Sequence, residues 1–201
     1  MKIRRFLPFL AAATFAASSA LAADTYVVDK GHSEATFQVR HMVSKVRGRF
    51  GDFEGQIRIE PGKPAASSVE FTVRTASLNS DNPDRDKHLK SADFFDVDTY
   101  PTLTFKSTRI APQSGDSYDV TGLLTMRGIS KQVTLPVTLL GFVKDPWGGE
   151  RAGFETSVTL NRKDFGMVWS KTLDTGGLVV GEEALVTINL ETVKQKATAR
   201  N

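Results

Sequence analysis

The chain has 201 residues, a formal net charge of +3 and no cysteine. Without cysteine it forms no disulfide, attaches no c-type haem and has no thiol nucleophile. Its length suits one domain with a substantial core, and no internal repeat or linker divides it.

The first segment is predicted to be a secretory leader over residues 1–22. Lys2, Arg4 and Arg5 supply a basic start, Phe6 to Ala17 an apolar run, and Ala20-Leu21-Ala22 a cleavage site before Ala23. The run is shorter than the roughly 20 residues a membrane-spanning helix needs. The leader holds three of the 26 basic residues and none of the 23 acidic ones, so the remainder is neutral. Positive and negative residues alternate there without a concentrated basic face, which excludes nucleic acid as an expected partner. The expectation is a periplasmic protein that does not span a membrane.

From residue 23 onward the pattern has period two. Ala35, Phe37 and Val39 share one face of a strand, as do Phe53, Gly55, Ile57 and Ile59. The alternation returns at Val69, Phe71 and Val73, and at Leu103 and Phe105. It then runs through Val133, Leu135, Val137 and Leu139, and through Val186, Ile188 and Leu190. Pro61-Gly62, Arg127-Gly128, Asp145-Pro146 with Gly148-Gly149, and Gly176-Gly177 mark turns between strands. Many strands with short connections and one apolar face indicate an all-β antiparallel barrel or sandwich.

One helix interrupts the strands. Asn82 is suited to cap it and Pro83 to occupy its first turn. Asp84 and Asp86 fall near its positive end, with Lys87, His88 and Lys90 toward the other. The predicted insertion runs from Asp84 to Phe95, with Leu89 and Ala92 facing inward, as a cover for a barrel end or a plain crossover. The polar tail from Val193 is predicted to fray, the domain closing at residue 195 and leaving 196–201 loose.

No serine-hydrolase elbow or Walker loop is present. His32 and His41 are nine positions apart and would face opposite sides of a regular strand, so no metal site is expected. Asp93, Asp96 and Asp98 interleave with Phe94, Phe95 and Val97, a pattern of acids facing water from a half-buried segment. Trp147 is expected to pack over the DPWGG turn, with contact to a lipid chain at a barrel mouth as the alternative.

The candidate site is therefore the apolar face itself. Its predicted lining comprises Phe37, Val39, Phe53, Ile57, Phe71, Val73, Leu103, Phe105, Leu135, Val137, Phe154, Trp169, Val186 and Ile188. Period two alone leaves open whether these residues fill a core or line a cavity. If they line a cavity, Arg85, Lys87, His88 and Lys90 are the candidates for meeting a ligand's anionic head. No catalytic residue, cofactor or metal is expected.

Five blocks also carry a resemblance. RDKHLKSADFFDVDTYPTLTF (Arg85 to Phe105), GRFGDFEG, GLLTMRGISKQVTLPV, DPWGGERAGFE and LNRKDFGM resemble those of the YceI-like family, in that family's order. The family consists of secreted bacterial lipocalin-like barrels associated with polyisoprenoid and other long-chain lipids. The resemblance covers nearly all of the chain after the leader and favours a single barrel of about eight strands over a sandwich. It implies a binding or carrier protein for a long-chain amphiphile rather than an enzyme, with a homodimer left open. Two alternatives stand beside it: a filled barrel acting through its surface, and an enzyme with a paired polar group among the inward positions.

Overall fold

The computed structural model describes residues 23–174 and 177–196. The leader over 1–22, Gly176 and the tail from 197 onward lie outside the described residues.

The strands are β1 (Asp24–Val28), β2 (Glu34–His41), β3 (Ser44–Phe50), β4 (Phe53–Ile59), β5 (Ser68–Arg74) and the two-residue β6 (Leu78–Asn79). After helix α1 (Pro83–Lys90) come β7 (Thr102–Pro112), β8 (Ser117–Met126), β9 (Ile129–Lys144), β10 (Glu150–Asn161) and β11 (Val180–Lys194). The order β1-β4-β5-β7-β8-β9-β10-β11 closes on itself through a β1–β11 pairing. The described residues thus form a closed antiparallel barrel of eight strands with one α-helix, not a sandwich.

Closure depends on β11 serving two partners. Its first part pairs with β2 from Val180 to Asn189, and its end pairs with β1 from Thr192 to Lys194. β1 and β2 therefore act as one bent strand, broken by a 3-10 turn at Lys30–His32. β3 and β4 form a second bent strand, pairing with β2 and β1 respectively. Val193 sits in register with Val27 and Arg151, so the fraying expected from that residue does not occur there. The second edge of β3 is paired only at Arg49 and Phe50, with β6.

Local sequence explains the joints. Arg127 and Gly128, both at positive φ, join β8 to β9 in the two-residue turn whose twist suits a hairpin. Asn82 caps α1 by accepting from the Arg85 amide at 3.0 Å, with Pro83 in the first turn. The helix stops at Lys90 rather than Phe95. Ser91 folds back on the His88 carbonyl through both its amide (3.1 Å) and its hydroxyl (2.8 Å), and Asp96 then takes a positive φ. Leu89 turns toward the interior, whereas Ala92 is exposed, because it belongs to the turns that follow and not to the helix.

Those turns deliver Phe94 and Phe95 into the core from outside any regular element. Phe95 packs edge-on to Phe50, centroids 5.5 Å apart, and so closes the helix end of the barrel. At the opposite end the β9–β10 hairpin carries the DPWGG turn. Asp145 accepts the amides of Trp147 (3.0 Å) and Gly149 (2.8 Å), so aspartate and backbone hold the turn. Trp147 is 85% exposed and does not pack over it. No helix among the described residues is long and apolar enough to cross a membrane.

Candidate functional site

The barrel interior holds two apolar cavities. One, of about 270 Å³, lies at the helix end; the other, of about 430 Å³, lies at the hairpin end. Both sizes fall near the ~300–1,000 Å³ scale of small-molecule sites. Phe71, Phe105, Leu135, Thr156 and Ile188 border both cavities and form the junction between them.

Two inward glycines give the junction its room. A Cβ on Gly122 would lie 2.6 Å from the Phe105 ring, and one on Gly55 would lie 2.6 Å from the Phe71 ring. Each ring therefore occupies the space over the glycine on its neighbouring strand. That holds it close to the barrel wall.

The predicted lining can be placed residue by residue. Phe37, Val39, Val73, Leu103, Val186 and Trp169 line the helix-end cavity; Ile57, Val137 and Phe154 line the hairpin-end cavity. Phe71, Phe105, Leu135 and Ile188 stand at the junction. Phe53 lines neither: it is buried with its ring 5.6 Å from Phe71, as wall packing behind the cavity. Reasoning from the sequence anticipated the inward Leu89 but missed the contributions of Phe50, Phe94, Phe95, Phe165 and Met167 at one end, and of Tyr26, Tyr118 and Phe142 at the other.

Of the predicted head-group residues, Arg85 and His88 line the helix-end cavity, whereas Lys87 and Lys90 do not. The helix leaves Lys87 exposed to solvent. Arg85 is committed to Ser80, donating to its hydroxyl at 2.8 Å and its carbonyl at 2.6 Å. His88 meets the Asp93 carboxylate at 2.9 Å and stands edge-on to Phe94, centroids 5.0 Å apart.

A further cation belongs to this wall. Arg162 is 5% exposed and donates to the carbonyls of Gly181 (2.8 Å), Met167 and Val180. Its guanidinium lies over the Phe94 ring at 6.0 Å. Burial pulls its pKa below the usual arginine value. At the other end, the buried Tyr26 hydroxyl donates to Glu150, and Lys194 bridges Asp24 (2.7 Å) and Glu150 (3.5 Å). Burial, followed by the bond to Glu150, pushes the Tyr26 hydroxyl far above its ordinary pKa.

Thr156 is the polar member of the junction, and its Oγ1 has no hydrogen-bond partner. Among the described residues no base is hydrogen-bonded to it, as its activation as a nucleophile would require. On the outer wall, Asp29, His32 and Glu191 offer ligand atoms within 4.8 Å of one another. Arg151 already spans that group, donating to Asp29 at 2.9 Å, to Asp145 at 3.1 Å and to Glu191. A cation is thus present there in the form of a side chain.

Comparison with known proteins matches this architecture. A family model described as YceI-like domain matches residues 26–192. A UPF0312 protein of Pseudomonas paraeruginosa is 46% identical over 161 residues, covering 79% of this chain and 83% of its own. A second, from Pseudomonas putida, is 42% identical over 194 residues, covering 93% and 95%. Among solved structures, Burkholderia cenocepacia BcnA superposes with a TM-score of 0.73 at 29% identity, covering 82% of this chain and 98% of that one. A polyisoprenoid binding domain from Saccharophagus degradans shares the fold, with a TM-score of 0.64 at 14% identity over 85% and 98% of the two chains.

Proposed function

The chain belongs to the YceI-like family, and from that membership and its paired cavities we propose that it binds and carries a long-chain amphiphile. The observation that carries the reading is the meeting of two apolar cavities at five side chains inside a closed barrel. A ligand of that shape is an extended or folded hydrocarbon chain. Each buried methylene contributes roughly 0.8 kcal/mol, so ten give on the order of 8 kcal/mol before ordering costs, comparable with micromolar affinity. The tail alone thus suffices for binding, and no bond is made or broken. A barrel filled solid, the alternative raised by the sequence, is inconsistent with cavities of about 270 and 430 Å³.

The ligand class we favour is polyisoprenoid, supported by the printed description of the Saccharophagus domain that shares this fold. The working compartment is the periplasm, reached through removal of residues 1–22; the leader pattern of the sequence supports this. Native mass spectrometry of protein purified from a bacterial periplasm, followed by organic extraction, tests both parts. The expected result is a chain starting at Ala23 with a stoichiometric lipid adduct. A clean apo mass that persists after exposure to polyprenyl and fatty-acyl lipids would overturn the carrier reading.

A further inference from the structure

The two cavities differ in the sign of the charge on their walls. The ionisable side chains that face the helix-end cavity are His41, Arg85, His88 and Arg162, and among the described residues no carboxylate lines that cavity. Among the described residues the hairpin-end cavity is bordered instead by Asp24, Glu60 and Glu150, with the Tyr26 hydroxyl, and by no lysine, arginine or histidine. Arg40 and Glu155 also border the cavities, but the alternation of β2 and β10 turns both side chains outward.

Arg162 makes the difference consequential. Its partners are three backbone carbonyls, which satisfy hydrogen bonds without supplying a full negative charge. The nearby Glu182 is engaged by Lys163. A guanidinium buried without a carboxylate partner attracts an anion into the same low-dielectric space. Asp24 and Glu150 at the other end already share Lys194, and an added anion there would meet like charge.

We propose that the barrel orients its ligand: an anionic head group seats at the helix end near Arg162 and His41, and the tail crosses the Phe71–Phe105 junction into the hairpin-end cavity. The inference rests on the ligand-binding reading above and adds to it a head-group charge and a direction. It assigns Arg162 and His41 as contact residues for the head.

Stearate carrying a nitroxide at carbon 5 or at carbon 16 tests the direction on the unaltered protein. With the label at carbon 16, NMR amide signals of Tyr118, Leu139 and Phe154 are expected to broaden. With the label at carbon 5, those of Val39 and Val186 are expected to broaden. The reverse pattern, or equal broadening at both ends, overturns the orientation while leaving the carrier reading intact. Failure of both labels to bind overturns the orientation, and the carrier reading falls with it only if polyprenyl lipids also fail to bind.

Head-group charge is tested by competition. Octadecanoate is expected to bind about tenfold more tightly than octadecylamine or octadecanol, as one charge-assisted contact allows. Arg162→Gln is expected to abolish that preference. Because Arg162 also ties down Gly181 and Met167, the labelling result does not depend on this variant folding. Equal affinity for the three head groups in the unaltered protein overturns the assignment.

Discussion

The imidazole of His88 stands edge-on to the indole of Trp169, ring centroids 4.7 Å apart and planes at 90°. Helix α1 is joined through this contact to the segment between β10 and β11, and the two close the same end of the barrel.

Loss of this clasp should loosen the end without disturbing the ring of strands. His88→Ala removes an aromatic contact of about 0.5–1.5 kcal/mol. For a domain of this size that corresponds to a fall in Tm of about 2–4 °C per kcal/mol. Stopped-flow displacement of a bound fluorescent fatty acid should show faster release. A lower Tm with unchanged release would mean that the ligand leaves by another route.

The junction should behave as a throat. Ile188→Trp places a large ring where the two cavities meet, at an overpacking cost of about 1–3 kcal/mol. Chains short enough for one cavity should retain their affinity, while chains longer than about twelve carbons should lose the gain of roughly 0.8 kcal/mol per added methylene. Calorimetric titration over a series of chain lengths reads this directly. A uniform loss at all lengths would argue against a continuous passage.

Thr156→Val replaces an unpartnered buried hydroxyl with a methyl group of similar size. Relief of its desolvation should raise stability by about 1 kcal/mol, seen as a higher urea midpoint with unchanged slope. Wholly hydrocarbon ligands should bind at least as well as before. A destabilised variant would show that the hydroxyl has a partner in solution.

Acid should remove the stabilisation that Arg151 gives the outer wall. Hydrogen bonding to Arg151 and then to His32 holds Asp29 below the usual carboxylate pKa; the Gly149 amide, and then Arg151, do the same for Asp145. A carboxylate lowered in the native state takes up protons on unfolding at acid pH. Its stabilisation is therefore complete above the ordinary range near pH 4 and is lost as pH falls through the lowered native values. Arg151→Gln should cost most at neutral pH and least near pH 2. Urea midpoints of both proteins across that range provide the check, and a gap independent of pH would refute the linkage.

The strands were legible because their alternation is local. Val133, Leu135, Val137 and Leu139 identify one face of β9 from four residues of like parity. Barrel closure was not legible from the pattern, because it joins residues 26–28 to 192–194 and leaves no local mark. Phe53 has the inward parity of β4 yet packs behind the cavity, so parity gives the side of the sheet but not depth. Arg162 enters the sequence reading only as part of the LNRKDFGM block. Its parity was the available signal, continuing Phe154, Thr156, Val158 and Leu160 along β10. Phe94 and Phe95 obey neither period, since turns rather than a regular element bring them in.

The open edge of β3 also bears on how the protein behaves when crowded. From Ser44 to Gly48 one row of backbone donors and acceptors has no neighbouring strand among the described residues. Such a row can template the addition of a foreign strand. Lys45 and Arg47 are exposed along this stretch, and a second copy approaching edge to edge would bring its own cations against them. The edge is also short and ends in the β6 pairing. The barrel thereby keeps an open edge on β3 without offering a seed for aggregation.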